Sequence, residues 1–235
     1  MKTQTGKLLL RSFLLLLLFA FALVTYQFIH QTHYFPVKIV EVYGARHEDH
    51  QEVQNLVRPL VAHNFFAVDI ELIKDRLHQF PWVDKVSIRR VWPDRVEVQV
   101  TEHQPLAIWH DHNLLSSKGQ IFDATGYELP ADLPKFLGPE GKQGEMLQFF
   151  NDINRSFEAL HAKIAYLELT PYQMWRLVLD NGVRVQIGHK NVLARLGQFV
   201  KVYPKVIGAK AKDVDYVDLR YPSGMAIRWK NASEA

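Results

Sequence analysis

The chain has 235 residues, no cysteine, and 28 Lys and Arg against 25 Asp and Glu, a net charge of +3. Lys2, Lys7 and Arg11 are the only charged side chains before Lys38, so the rest of the chain is charge-balanced and the basic pI belongs to its start. This leaves no clustered basic face for nucleic acid. Without thiols there are no thiolate metal centres, Cys nucleophiles or disulfides.

Residues 13–24, FLLLLLFAFALV, are unbroken apolar, and with weaker residues the run extends over 8–29. As a helix that run is about 33 Å long, close to the hydrocarbon thickness of a bilayer. Five successive leucines leave no polar face, which argues against a core helix of a globular domain. The N-terminal flank is basic and the following QTHYFP carries no Lys or Arg, so the positive-inside rule keeps the N-terminus in the cytoplasm. The expectation is a cytoplasmic tail over 1–11, a transmembrane helix over 12–32, and export of everything after about residue 34. Tyr26, His30, His33 and Tyr34 suit the outer interface. The alternative is a cleaved signal peptide with Ala20-Phe21-Ala22 as its cleavage motif. Against it, the apolar run continues through Leu23, Val24, Tyr26, Phe28 and Ile29.

Residues 37–45 alternate apolar and polar up to Gly44 and read as a strand. Over 49–62, Val53, Leu56, Val57 and Leu60 recur at helical spacing, with Pro59 as a breaker near the end. Asp69 is a good N-cap for a second helix with Ile70, Ile73 and Leu77 on one face, which Pro81 ends. Strands follow over 82–92 and 94–101. Val86, Ile88 and Arg90 share a face of the first, Val96, Val98 and Val100 alternate in the second, and Trp92-Pro93-Asp94 makes the turn. Trp82 and Trp92 read as core and turn packing. The order strand, helix, helix, strand, strand is a small α+β module with two helices on one face of a three-stranded sheet.

Short strands follow over 106–109, 114–116 and 120–122. Residues 129–144, rich in Pro and Gly, read as an irregular connection. A helix over 145–160 carries a stripe of Met146, Phe149, Phe150, Ile153, Phe157 and Leu160. Next come a strand over 164–169 and a hairpin of 175–179 with 183–187 around Asn181-Gly182. A helix over 190–203 stops before Pro204, and a final hairpin pairs 214–221 with 225–229 through Pro222-Ser223-Gly224. The fold class is α+β, ending in a mainly antiparallel β domain with two helices.

Phe80-Pro81-Trp82-Val83-Asp84-Lys85-Val86 through Trp92-Pro93-Asp94 resembles the bacterial cell-division FtsQ/DivIB family. Glu102, Pro105, Ala107 and Trp109 continue the likeness, as do Asn64-Phe65-Phe66, Gly119-Gln120-Ile121-Phe122 and the ending Tyr216-Val217-Asp218-Leu219-Arg220-Tyr221 with Ser223-Gly224. The resemblance covers nearly the whole chain. It implies a POTRA domain over 36–103 and a β domain over 104–235, in a single-pass inner-membrane protein at the division septum. It also implies that FtsB, which pairs with FtsL, is captured by the C-terminal β strand. Carried over residue by residue, that role falls on Tyr216, Arg220, Tyr221, Ser223, Gly224 and Trp229. Contacts with other divisome proteins through the POTRA domain and anchor are implied without residues. The tail here is shorter than in many members.

The residues themselves allow a binding surface at the same place. If 225–229 lies at a sheet edge, its backbone groups can accept another chain's strand, with Tyr221, Met225 and Trp229 as anchors. The bland alternative is an ordinary terminal hairpin with those residues in its core. No chemistry competes. His110-Asp111-His112 and the His47 and His50 pair lack a third ligand, and HExxH, G-x-S-x-G, P-loop and G-x-G-x-x-G patterns are absent. The expectation is no enzyme, no cofactor, no metal and no small-molecule substrate. Two rival readings are a POTRA-containing outer-membrane assembly or secretion factor, which needs a C-terminal barrel, and a periplasmic binding protein or hydrolase, which needs a pocket of converging polar groups.

Overall fold

The computed structural model describes residues 2–30, 35–47, 50–62, 64–222 and 224–230. The chain divides into two compact units, Met1–Glu102 and His103–Ala235. It opens with α1 (Lys2–His30), a single helix of 29 residues. The helix includes residues 12–30 of the expected span; Gln31 and Thr32, and His33 and Tyr34 after them, lie outside the described residues. Side chains of α1 are described over 11–27, and all are exposed, including Leu14, Leu15, Leu16 and Phe21. Among the described residues no helix is long and apolar enough to cross a membrane.

The rest of the first unit runs β1 (Ile39–Tyr43), α2 (His50–Val61), α3 (Ile70–Leu77), β2 (Val83–Val91) and β3 (Arg95–Glu102). β3 is central. β1 lies parallel to it with Ile39 opposite Arg95, and β2 lies antiparallel with Val86 opposite Val100. Strand alternation turns Val96, Val98 and Val100 to one face, where they are buried with Val42, Val86 and the helical stripes Val53, Val57, Ile73 and Leu77. Asp69 caps α3 by accepting the Leu72 N–H at 3.0 Å. Pro59 stays inside α2 instead of ending it, because it stands on an exposed face of the last turn with only two residues to follow. Trp82 is fully buried, as expected. Trp92 is not turn packing: it is 72% exposed, at the tip of a tight turn beyond the sheet.

The second unit contains β4 (Pro105–Trp109), β5 (Asn113–Ser116), β6 (Ile121–Asp123), β7 (Lys135–Leu137), α4 (Gln143–Glu158), β8 (Ile164–Leu169), β9 (Trp175–Leu179), β10 (Arg184–Gly188), α5 (Val192–Val206), a 3₁₀ segment over Gly208–Asp213, β11 (Val214–Asp218) and β12 (Ala226–Trp229). Its nine strands form one open sheet in the order β12-β11-β10-β9-β8-β7-β4-β5-β6. The sheet is more mixed than expected: β4–β7, β7–β8 and β10–β11 are parallel. β7 lies in the stretch read as an irregular connection. It is only three residues between Pro134 and Gly138, too short to show alternation, yet its Phe136 is fully buried. α5 runs through Pro204 because the ring sits on the exposed side of the last turn; the Ile207 N–H still reaches the Tyr203 carbonyl at 2.9 Å.

Met146, Phe149, Phe150, Ile153 and Phe157 of α4 and Leu196, Phe199 and Tyr203 of α5 cover one face of this sheet. Opposite them lie Leu167, Leu177, Val185, Ile187 and Val217. Burying each such aliphatic or aromatic side chain contributes about 1.5–3 kcal/mol. Alternation then sends Glu168, Arg176, Gln186 and Tyr216 to the other face.

Candidate functional site

β12 is the terminal strand of the sheet. It pairs antiparallel with β11, with Ile227 opposite Val217 and Arg228 opposite Tyr216. Among the described residues no strand pairs with its other side. The Lys230 N–H bonds back to the Asp213 carbonyl at 2.8 Å. Since backbone direction alternates along a strand, Arg228 and Ala226 also turn their N–H groups toward β11. Ile227 and Trp229 therefore turn theirs to the open edge. Ile227 and Met225 pack half-buried on the core. Tyr221 and Trp229 are 56% and 42% exposed. Of the hairpin residues singled out in the sequence, Tyr221, Gly224 and Trp229 thus lie in the open, Tyr216 and Met225 are half-buried, and Ser223 lies outside the described residues.

Arg220 is engaged within the chain. Its backbone N–H and Nε reach Asp218 Oδ1 at 2.9 and 3.0 Å, and its Nη2 reaches Oδ2 at 2.7 Å. This forked pair ends β11 and starts the bend toward β12. The Arg220 guanidinium holds the buried Asp218 carboxyl below its usual range, against the upward push of burial, and Arg195 adds to the lowering. Gly188, at φ +87, leaves the room: a Cβ there would come within 3.2 Å of Arg195 Nη1 and Arg220 Cγ.

A second cluster on the sheet's open face is absent from the sequence reading. The Arg228 guanidinium lies 5.8 Å from the Tyr216 ring centre and its Nε 3.6 Å from Asp215 Oδ2, while Arg184 also pairs with Asp215. Beside it, Tyr166, Glu168, Arg176, Val178, Arg184 and Gln186 line a shallow hollow of about 350 Å³, in which Arg176 and Glu168 stand 3.6 Å apart. Tyr166 is pushed up by burial, with Glu168 adding to it. Strand alternation could have placed these residues on one face; that β10 and β11 are neighbours could not be read from periodicity. Among the described residues, no group of three His, Asp or Glu is placed to hold a metal ion. His110 instead contacts the Gly138 carbonyl at 3.0 Å.

The fold and this open edge define a protein with a two-helix, three-stranded module followed by a large mixed sheet whose last strand has no outer neighbour among the described residues. Known proteins say which. The family model described as POTRA domain, FtsQ-type, matches residues 35–103, and that described as Cell division protein FtsQ/DivIB, C-terminal, matches residues 107–220. The FtsQ cell division protein of Coxiella burnetii is 32% identical over 226 residues, 96% of this chain and 93% of that one. Those of Shewanella oneidensis, 31% identical over 88% of this chain and 79% of the other, and of Burkholderia pseudomallei, 38% identical over 70% and 68%, are similar too. The chain belongs to the FtsQ/DivIB family of cell division proteins and carries its POTRA domain. Tyr221, Gly224 and Trp229 fall just beyond the residues that the C-terminal family model matches.

Proposed function

We propose that this chain is a non-enzymatic, single-pass inner-membrane scaffold of the bacterial division machinery, and that it binds FtsB, paired with FtsL, by adding a strand to β12. The carrying observation is the open edge of β12, with Ile227 and Trp229 backbone groups directed outward and Tyr221 and Trp229 exposed beside them. Membership of the family supports the division role. The exposed apolar surface of α1 supports the anchor, and Lys2, Lys7 and Arg11 before it support a cytoplasmic N-terminus and a periplasmic bulk. An anchored domain meets other anchored partners at a raised effective concentration. In this reading the complex helps control septal peptidoglycan synthesis by neighbouring enzymes. Other divisome proteins contact the POTRA domain, 36–103, and the anchor, while the β domain, 104–235, holds the FtsB site.

The test is capture of the periplasmic FtsB segment by the full chain, comparing wild type with Tyr221→Ala and Trp229→Ala, each with a thermal melt. Binding lost with an unchanged melt supports the edge-strand site. Intact binding by both folded variants sinks it.

A further inference from the structure

Three segments far apart in sequence meet at one end of the POTRA module. The chain arrives there after α1: the Phe35 carbonyl accepts the Phe65 N–H at 2.8 Å, and Pro36 bridges Asn64. The α2–α3 connection is held in place by Asn64, whose Oδ1 accepts the Phe66 N–H at 2.8 Å, and by Arg90, whose Nη2 donates to the Val68 carbonyl at 2.7 Å. The β2–β3 turn joins them, because β1 and β3 are parallel and start side by side: the Lys38 and Ile39 N–H groups both bond the Asp94 carbonyl, at 2.8 and 3.2 Å.

This end presents aromatic side chains to solvent. Trp92 is 72% exposed and Phe66 39% exposed. Phe66 is braced edge-on against Phe35, ring centres 5.3 Å apart, and against Phe65, at 5.2 Å. Acidic groups here are engaged: Asp94 pairs with Lys38 at 3.4 Å, and Asp69 caps α3. The opposite end of the sheet, where Tyr43 ends β1 and Glu102 ends β3, is where the chain leaves the module.

The tether decides what this surface faces. α1 ends at His30, and five residue steps on, Phe35 is already bonded into the module. Five extended residues reach at most about 17 Å. If α1 crosses the bilayer, as proposed above, this end of the module is held within that distance of where the helix emerges. Trp and other amphipathic aromatic side chains favour the headgroup layer, their rings among the upper acyl chains and their polar atoms in water.

We propose that this end of the POTRA module, through Trp92 and Phe66, docks on the lipid surface of the bilayer that anchors the chain. The docking fixes the module's tilt on the membrane, with its Glu102 end pointing away. The inference rests on the anchor reading and fails with it.

The absence of native cysteine makes the test clean. Ala67→Cys, Thr101→Cys and Phe19→Cys, each in the full chain with Trp92 and Phe66 intact, are spin-labelled and reconstituted in vesicles of phosphatidylethanolamine and phosphatidylglycerol. Collision of each label with oxygen, enriched in lipid, and with a water-soluble nickel chelate reports its depth. Ala67 is exposed beside Phe66, so labelling it opens no core; circular dichroism confirms the fold. The expected result is a lipid-like ratio at 19, an interfacial ratio at 67 and a water-like ratio at 101, with Trp92→Ala moving the label at 67 toward water. A water-like ratio at 67 with a lipid-like ratio at 19 overturns the docking and leaves the anchor standing. A water-like ratio at 19 overturns both. Equal ratios at 67 and 101, or a ratio at 67 that Trp92→Ala does not move, also overturn the docking.

Discussion

His47 lies flat on the buried Trp82 indole, ring centres 4.0 Å apart and planes 7° apart, while its Nδ1 contacts Glu102 Oε2 at 2.7 Å. Glu102 Oε1 accepts the Arg46 and His47 N–H groups at 2.5 and 2.9 Å. One carboxylate thus gathers the segment after β1 against the end of β3. Burial pushes this carboxyl up, but the His47 ring and the two N–H groups together outweigh it and hold it below its usual range. A lowered folded value means stabilisation that is present above the unfolded pKa, about 4.3, and lost as pH falls through the folded value. Glu102→Gln should cost about 1–3 kcal/mol at neutral pH, read from urea unfolding. The gap from wild type should close as pH drops below about 4. A gap that persists unchanged in acid would mean that the charge is not what holds this segment.

Gly44 turns the chain at φ +90, and a Cβ there would collide with the Val100 carbonyl oxygen of the neighbouring strand. Gly126 shares that φ but has open space around it. Gly126→Ala should cost only the left-handed backbone penalty, about 1–2 kcal/mol. Gly44→Ala should cost clearly more, since backbone must move. Equal losses in denaturant melts would show that the β1–β3 approach yields without strain.

Family likeness places Arg220 among the partner contacts, and its guanidinium also pairs with Asp218. Because Arg220 lowers the Asp218 carboxyl and burial only partly opposes it, the pair stabilises above the unfolded pKa of about 3.9 and fades as pH falls through the lower folded value. Asp218→Asn should lose about 1–3 kcal/mol at neutral pH and nothing once wild type is protonated. Arg220→Lys keeps the charge but not the fork. It should weaken FtsB capture only as far as it lowers the melt. Weakened capture with an unchanged melt would return Arg220 to the contact surface.

The order of elements in the POTRA module was legible because each is amphipathic over a full period: the Val96, Val98 and Val100 alternation, the Val53 and Val57 stripe, the Asp69 cap. What escaped was set by tertiary context. β7 carries its whole signal in one buried residue, Phe136. Pro204 reads as a stop, but a helix face turned to solvent tolerates it. Trp92 and Trp82 look alike in sequence, and only the tip position of one against the core position of the other separates them. At the candidate site, the edge position of β12 was anticipated as a condition from its place near the chain's end. The Asp215, Arg184 and Arg228 cluster was not, because parallel pairing of β10 with β11 leaves no mark in local periodicity.

The outward direction of the Trp229 N–H separates strand addition from side-chain docking. Trp229→Ala removes the aromatic anchor and keeps the backbone donor. Trp229→Pro removes both, and its ring projects into the edge where an incoming strand would lie. The β11 pairing should survive either change, because the N–H groups that face it belong to Ala226, Arg228 and Lys230. If FtsB adds a strand, Trp229→Ala should weaken binding by about 2 kcal/mol or more. Trp229→Pro should weaken it about tenfold further, the worth of one lost hydrogen bond and its desolvated partner. Titration calorimetry on the full chain with the FtsB segment reads the difference. Equal affinities for the two variants would mean that the partner touches the Trp229 ring without pairing to the strand, and the open edge of β12 would then be bystander to the contact.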